Sequence, residues 1–328
     1  MITYKESGVD IDFGNSIVDD LKNDHYPSWV IDGIGGFNSI INLDSDEIES
    51  VVNRPFSLVT STDGVGTKLL LSIEYGKLEN IGIDLVAMSI NDIICSGAIP
   101  LGFLDYISYS KLDKNQLLKI LSGIKKGCQI SNCQLVGGET AQMPDVYKNG
   151  HFDLAGFAFG LVPNNKYSIG KQFVESGDVL IGIQSNGLHS NGYSLIRKIL
   201  KEKQCINVPI DELMKPTKIY SSIVNKMLSL FPADIHGIAH ITGGGLYENI
   251  KRIIKSDQDL KIIKNAWKKP NIYNWLESLN LISEEELYKT FNMGIGMVFI
   301  VKKSISHSFQ SVFLNEFSTP CYIIGEVI

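Results

Sequence analysis

Ser61-Thr62-Asp63-Gly64-Val65-Gly66-Thr67-Lys68 decides how this chain is read. Residues 56–60 before it form an apolar, strand-like run. Residues 82–96 after it carry the apolar pattern of a largely buried helix. The stretch thus sits in one αβ unit, and it sets acids, glycines and a lysine at the junction. Asp63 and Lys68 bracket Gly64 and Gly66, which permit close backbone approach. On the helix, Asp84 and Asn91 share a face, because positions i and i+7 lie two turns apart. Asp92 falls at the edge of that face. The neighbours are Ile83, Leu85, Val86, Ile90, Ile93 and Ile94. A carboxylate on so apolar a segment is costly to bury unless a cation offsets it. Glycines, a lysine and buried acids together point to Mg²⁺ and a polyphosphate, which one or two carboxylates can hold.

Plainer readings stand beside this one. Gly64-x-Gly66 occurs in ordinary turns, and Asp84 could be an acid facing a helix N-terminus. The stretch is not a Walker A loop, since the GxxxxGK[ST] spacing is missing and Leu69 follows Lys68. Gly33-Ile34-Gly35-Gly36 is no dinucleotide fingerprint either, having no clear strand before it.

Composition bounds the class. The chain has 328 residues, 44% hydrophobic and 20% charged, enough for two packed domains or one large one. The net charge of −6 and scattered lysines give no electrostatic case for nucleic acid or an anionic membrane. Five cysteines (Cys95, Cys128, Cys133, Cys205, Cys321) without a CxxC fit thiols in a reduced, cytoplasmic compartment. The first residues lack the pattern of a secretory signal, and no apolar run is long enough to span a bilayer.

Outward from the opening stretch, strands are expected at residues 101–108, 135–136 and 153–162, with an amphipathic helix at 114–132. Pro163-Asn164-Asn165 reads as a turn and linker, dividing the chain into domains 1–165 and 166–328. The second half restarts with a strand at 178–183, then a loop and helix over 185–201. A strand, loop and helix follow over 238–254, with late strands at 296–301 and 321–327. The fold class is α/β, with α+β character.

Two loops in the second half read as anion cradles. Thr242-Gly243-Gly244-Gly245 opens a helix whose backbone N–H groups suit a phosphate; the plain reading is a turn capped by Thr242. Gly187-Leu188-His189-Ser190-Asn191-Gly192 opens another, with Ser190 a natural N-cap and His189 having no evident core role.

Tyr4-Lys5-Glu6-Ser7-Gly8-Val9-Asp10-Ile11-Asp12, Thr62-Asp63-Gly64-Val65-Gly66-Thr67-Lys68 and Gly82-Ile83-Asp84-Leu85-Val86-Ala87-Met88 resemble the phosphoribosylformylglycinamidine cyclo-ligase family of purine biosynthesis. So do Gly137-Gly138-Glu139-Thr140-Ala141-Gln142-Met143-Pro144, His189-Ser190-Asn191-Gly192-Tyr193-Ser194, His240-Ile241-Thr242-Gly243-Gly244-Gly245 and Thr290-Phe291-Asn292-Met293-Gly294-Ile295-Gly296-Met297. These matches run in order along nearly the whole chain. The resemblance implies a homodimer of two-domain subunits, the N-terminal domains pairing their sheets into a barrel-like core. It implies a ligase that uses ATP and Mg²⁺ to close formylglycinamidine ribonucleotide into aminoimidazole ribonucleotide, with no nucleic-acid or membrane partner. Carried onto this sequence, it gives an ATP and Mg²⁺ site of Asp63, Gly64, Gly66, Thr67, Lys68, Asp84, Asn91, Asp92 and Glu139, with Asp63, Asp84 and Asp92 on the metal. It gives a substrate and phosphate site of Ser190, Asn191, Thr242, Gly243, Gly244 and Gly245, and catalytic roles for His189 and Lys68. The chain departs from the family pattern over residues 22–29 and at Asn38-Ser39, which affects the contacts of the 33–37 loop.

Overall fold

The computed structural model describes residues 16–17, 20, 26–32, 34, 40–53, 55–164, 166–203 and 207–328. The 4–12 motif, most of the 33–37 loop, Asn38-Ser39 and Cys205 lie outside the described residues. Two compact units form. The first comprises Met1–Ile93 and Ile99–Pro163; the second comprises Ile94–Ala98 and Asn164–Ile328.

In the first unit the elements are β1 (Val30–Asp32), β2 (Ile40–Ile41), α1 (Asp46–Val51), β3 (Phe56–Gly64), α2 (Lys68–Tyr75), α3 (Leu78–Ile94), β4 (Ile99–Tyr109), α4 (Lys114–Ser131), β5 (Gln134–Gln142) and β6 (Phe152–Pro163). The main sheet has the order β3-β6-β4-β5, with only β4 and β5 parallel. β3 and β4 point the same way but sit on either side of β6. A crossover wide enough to clear one strand leaves a slot, and β6 fills it antiparallel. Helix α4 begins on a capping box, Asp113 with Gln116, and ends on Asn132 in the left-handed region. It buries Leu117, Ile120, Leu121 and Ile124, the i, i+3, i+4, i+7 stripe. Helices α3 and α4 approach closely where Gly82 and Gly123 meet; a Cβ on Gly82 would press into the backbone at Gly123.

The second unit comprises β7 (Val179–Gln184), α5 (Tyr193–Lys203), α6 (Ile210–Leu213), α7 (Ser221–Leu230), β8 (Ile235–His240), α8 (Gly245–Lys251), β9 (Leu260–Ile262), α9 (Asn271–Ser278), α10 (Glu284–Thr290), β10 (Ile295–Val301), α11 (Ser306–Glu316) and β11 (Cys321–Val327). Its sheet is antiparallel throughout, in the order β8-β10-β7-β11-β9. The slot pattern recurs: β7 and β8 flank β10, and β10 and β11 flank β7. β10 is buried at every position, which explains its continuous apolar run Ile-Gly-Met-Val-Phe-Ile-Val. Phe299 on β10 packs against Phe309 of α11 with ring centroids 5.3 Å apart.

Two local expectations change. Residues 61–64, beyond the strand expected at 56–60, continue β3, and residues 137–142, beyond the short strand expected at 135–136, continue β5. In both, pairing to a neighbouring strand satisfies the backbone and overrides the glycines' turn preference.

Candidate functional site

In the first unit, the turn after β3 passes through Gly66 at φ +71 and delivers Lys68 as the first residue of α2. Its ammonium lies 2.9 Å from Oδ1 and 2.8 Å from Oδ2 of Asp84 on α3. Both side chains are 0% exposed. Burial pushes the Lys68 pKa down, and the Asp84 charge and hydrogen bond oppose that shift. The structure thus places Asp84 and Lys68, expected at the ATP and Mg²⁺ site, against each other. The cation that makes the Asp84 carboxylate tolerable is Lys68 itself, sixteen residues earlier in sequence. Asn91 is buried on the same helix, whereas Asp92 at the face edge is exposed.

The other acids separate by sheet register. Asp63 pairs with Gly156, Gly156 with Asp105, and Asp105 with Gly138, so these four residues form one row across β3, β6, β4 and β5. Residues in one row point to one face. That face is the one covered by α3, since a Cβ on Gly156 would meet Leu85. Asp92 belongs there too: the Ser61 hydroxyl donates to its Oδ2 at 3.4 Å. Ser61 lies two residues from Asp63 along β3, so the Asp63 and Asp92 carboxylates share that face. Glu139 sits one position beyond Gly138, beside Tyr106, and therefore points to the opposite face. Glu139 is thus not brought to the acids it was grouped with. Among the described residues, no three His, Cys, Asp or Glu side chains gather as a metal site. A pair, Asp63 with Asp92, still meets the one or two carboxylates that Mg²⁺ takes alongside phosphate oxygens and water.

Asp105 was missed in the sequence. It is buried, and a Cβ on its row neighbour Gly138 would displace its carboxyl. Desolvation pushes its pKa up to about 7, against a hydrogen bond from its own backbone N–H. The only sequence signal was an acid inside the apolar run Leu101-Gly102-Phe103-Leu104-Asp105-Tyr106-Ile107.

In the second unit, one end of the sheet collects three loops: 185–192 after β7, 241–244 after β8, and 291–294 before β10. Asn292 ties two of them. Its Oδ1 accepts from Ser185 Oγ (3.1 Å), Tyr273 Oη (2.8 Å) and Gly294 N (2.8 Å), and its Nδ2 donates to Gly187 O (3.0 Å). Asn249 holds the glycine loop from inside, donating to the carbonyls of Thr242 (3.3 Å), Gly243 (3.2 Å) and Gly245 (2.7 Å). Thr242 donates to Asn249 Oδ1 at 3.2 Å rather than capping α8, whose N-cap is Gly244 at φ +94. Gly245 at φ +67 admits no larger residue, since a Cβ would strike the Tyr288 carbonyl. Asn191 and Gly243 do come together, with Asn191 Oδ1 3.4 Å from where a Gly243 Cβ would sit.

Ser190 and His189 differ from expectation. Helix α5 starts at Tyr193, and Ile196 N–H donates to Gly192 O, so Gly192 holds the cap position. The Ser190 hydroxyl instead hydrogen-bonds the Thr217 hydroxyl at 2.8 Å. His189 is 1% exposed, with φ +61. A non-glycine residue in the left-handed region carries about 1–2 kcal/mol of strain, which the surrounding packing must hold. The packing is specific: its ring lies 6.1 Å from the Tyr220 ring, and a Cβ on Gly296 would collide with both. His189 is thus a buried residue of the loop and not an exposed group at a helix mouth. Tyr220 was also unrecognised in the sequence, and Asn292 was read only as part of the 290–297 motif with no role, since a lone aromatic and a lone amide carry no periodic signal.

Comparison with known proteins agrees with this two-unit division. A family model described as AIR synthase related protein, N-terminal domain, matches residues 48–162, and its C-terminal counterpart matches residues 175–328. The chain is similar to the phosphoribosylformylglycinamidine cyclo-ligase of Thermoanaerobacter pseudethanolicus, 42% identical over 341 positions covering 100% of this chain and 98% of that one. The enzyme of the same name from Xylella fastidiosa is 45% identical over 309 positions, covering 91% and 86%. Among solved structures, the hydrogenase maturation protein HypE of E. coli superposes with a TM-score of 0.69 at 18% identity, covering 96% of this chain and 89% of that one. A HypE structure in complex with ATP gives 0.64, also at 18%, covering 97% and 84%. At such identity the likeness shows the fold alone.

Proposed function

This chain belongs to the phosphoribosylformylglycinamidine cyclo-ligase family, and from that premise we propose an ATP-dependent mechanism for its ring-closing reaction in purine biosynthesis. The observation that carries the reading is identity of 42% along the whole chain, across both units. In the proposed reaction, the formyl oxygen of formylglycinamidine ribonucleotide attacks the γ-phosphorus of ATP and ADP leaves. An amide oxygen is a poor leaving group, and phosphorylation turns it into a good one. The neighbouring amidine nitrogen then attacks the formyl carbon, phosphate departs with the former formyl oxygen, and proton loss yields 5-aminoimidazole ribonucleotide. Both reacting atoms belong to one substrate, so folding it into a near-attack geometry supplies much of the rate.

The first unit takes the nucleotide in this reading. Asp63 and Asp92 would hold Mg²⁺, which neutralises polyphosphate charge when bound. Gly64, Gly66 and Thr67 line the approach, Asn91 is the buried neighbour of Asp92 on α3, and the Lys68–Asp84 pair fixes α2 against α3. The second unit takes the ribonucleotide through Ser190, Asn191 and the Thr242-Gly243-Gly244-Gly245 loop. The burial of His189 against Tyr220 favours a role in positioning the formyl group over one as an exposed proton shuttle.

We also read the protein as a cytoplasmic homodimer. One face of the first unit's sheet carries Leu58 at 58% and Phe157 at 46% exposure, in line with Thr60, Thr62 and the half-buried Leu104. A second copy would cover this face and bring Glu139, which shares it, to the interface. Sedimentation should give about twice 36.3 kDa, and Phe157→Asp should shift the protein to monomer. An active monomer would remove this part of the reading.

The decisive experiment supplies ATP, Mg²⁺ and formylglycinamidine ribonucleotide and measures ADP and aminoimidazole ribonucleotide together. One ADP per ring is expected. ADP released equally fast without the ribonucleotide would refute the assignment.

A further inference from the structure

Lys218 stands where the unassigned chemistry of the second unit concentrates. Its ammonium donates a hydrogen bond to the Thr319 hydroxyl and lies 5.7 Å from the centroid of the Tyr220 ring. Tyr220 is fixed in turn, its hydroxyl donating to Gln184 O at 3.2 Å and its ring beside His189. Thr217, the preceding residue, bonds to Ser190. Thr319 enters β11 next to the end of β7, where Gln184 N–H donates to Pro320 O at 3.0 Å. One cation, in contact with Thr319 and Tyr220, thus lies at the end of the sheet from which the 185–192 loop departs, next in sequence to Thr217, which holds Ser190 of that loop.

We propose that Lys218, with Thr319 beside it, binds the 5′-phosphate monoester of the ribonucleotide substrate. The assignment rests on the cyclo-ligase reading and adds to it a residue that the loop motifs do not contain. A lysine ammonium is a compact point charge with three donors, suited to a phosphate approached from one side. Lys218 is half-buried, so its attraction for a dianion is stronger than at a fully exposed position. Burial also lowers its pKa to about 8, and an arriving dianion favours the charged form again. The Tyr220 ring faces the ammonium, and with Thr319 it limits the conformations lost on binding.

The test compares two ligands on the full-length protein by calorimetry: formylglycinamidine ribonucleotide and the corresponding ribonucleoside, which lacks the phosphate. Lys218→Met keeps the apolar stem and removes the charge. It should weaken binding of the ribonucleotide about 10–100-fold, the size of a charge-assisted hydrogen bond, and leave the ribonucleoside within about twofold. Lys218→Arg should restore most of the ribonucleotide affinity, and turnover should fall through KM more than through kcat. Equal weakening of both ligands, or of neither, overturns the assignment while the parent's ring closure stands. If the parent itself does not bind the ribonucleotide, the cyclo-ligase reading falls and takes this assignment with it.

Discussion

Two regions, the α2–α3 and sheet interior of the first unit and the Asn292 and Asn249 loops of the second, keep polar groups inside an apolar shell by different means. In the first unit the interior polarity is ionic: Lys68 on Asp84 with no exposure, and the Asp105 carboxyl with its pKa raised to about 7. In the second unit the 185–192, 241–244 and 291–294 loops are tied by neutral amides and hydroxyls, with Asn292 satisfying four groups and Asn249 three carbonyls, while Lys218 and the buried Asp178–His236 contact lie elsewhere in the unit. Ionic solutions cost more to desolvate and fail more severely when one partner is removed. Neutral networks lose roughly one hydrogen bond at a time. The Lys68–Asp84 pair and Asp105 should therefore respond to charge substitution and pH, and the loops tied by Asn292 and Asn249 to loss of side-chain geometry.

The largest effect should come from Lys68→Met. Removing one member of a buried ion pair leaves the other uncompensated, and about 3–5 kcal/mol of stability should go, read by urea unfolding. The double change Lys68→Met with Asp84→Leu should recover most of it, because apolar groups of similar size remove the buried charge. If the double variant is as unstable as the single one, the pair does not act as an ionic unit.

Asp105→Asn should be next, and it should depend on pH. The folded-state pKa is raised from 3.8 to about 7, so the native state binds the proton more tightly than the unfolded chain. The group's favourable contribution is therefore complete below about pH 4 and lost as pH rises through about 7. The variant should match the parent near pH 4 and exceed it at pH 8 by about 2–4 kcal/mol, given about 1.4 kcal/mol per pKa unit. A constant offset across the range would mean that packing, not ionisation, governs the site.

Asn292→Ala should be smaller, about 2 kcal/mol, since several neutral partners lose one bond each and some rebind water. It should not vary between pH 5 and 8, and it should impair ribonucleotide affinity more than overall stability, because the 185–192 loop loses its tie. A pH-dependent loss of stability here would erase the contrast between the two regions.

Much of the frame was legible along the chain. The 3.6-residue stripe of α4 and its Asp113 start, the apolar runs of β4, β6, β10 and β11, and the ordered motifs need only local pattern. Asp84 was also recognised as a buried acid in need of a cation, because its segment is apolar on every side. The identity of that cation was not legible. Lys68 and Asp84 lie on different helices, and only the approach of α2 to α3 brings them together. Likewise Asp63 and Glu139 look equivalent in sequence, yet the parity of strand register sends them to opposite faces.

The sequence by itself determined the family, the elements around the site and the residue types available there, since periodicity, caps and motif order are properties of neighbouring residues. Tertiary structure alone decided which of those residues meet. It paired Ser190 with Thr217 rather than with a helix end, closed the interior around His189, and set Lys218 beside Thr319, 101 residues away. The reason is physical: strand pairing and core packing fix long-range neighbours through backbone register and excluded volume, and neither leaves a repeating mark on the chain.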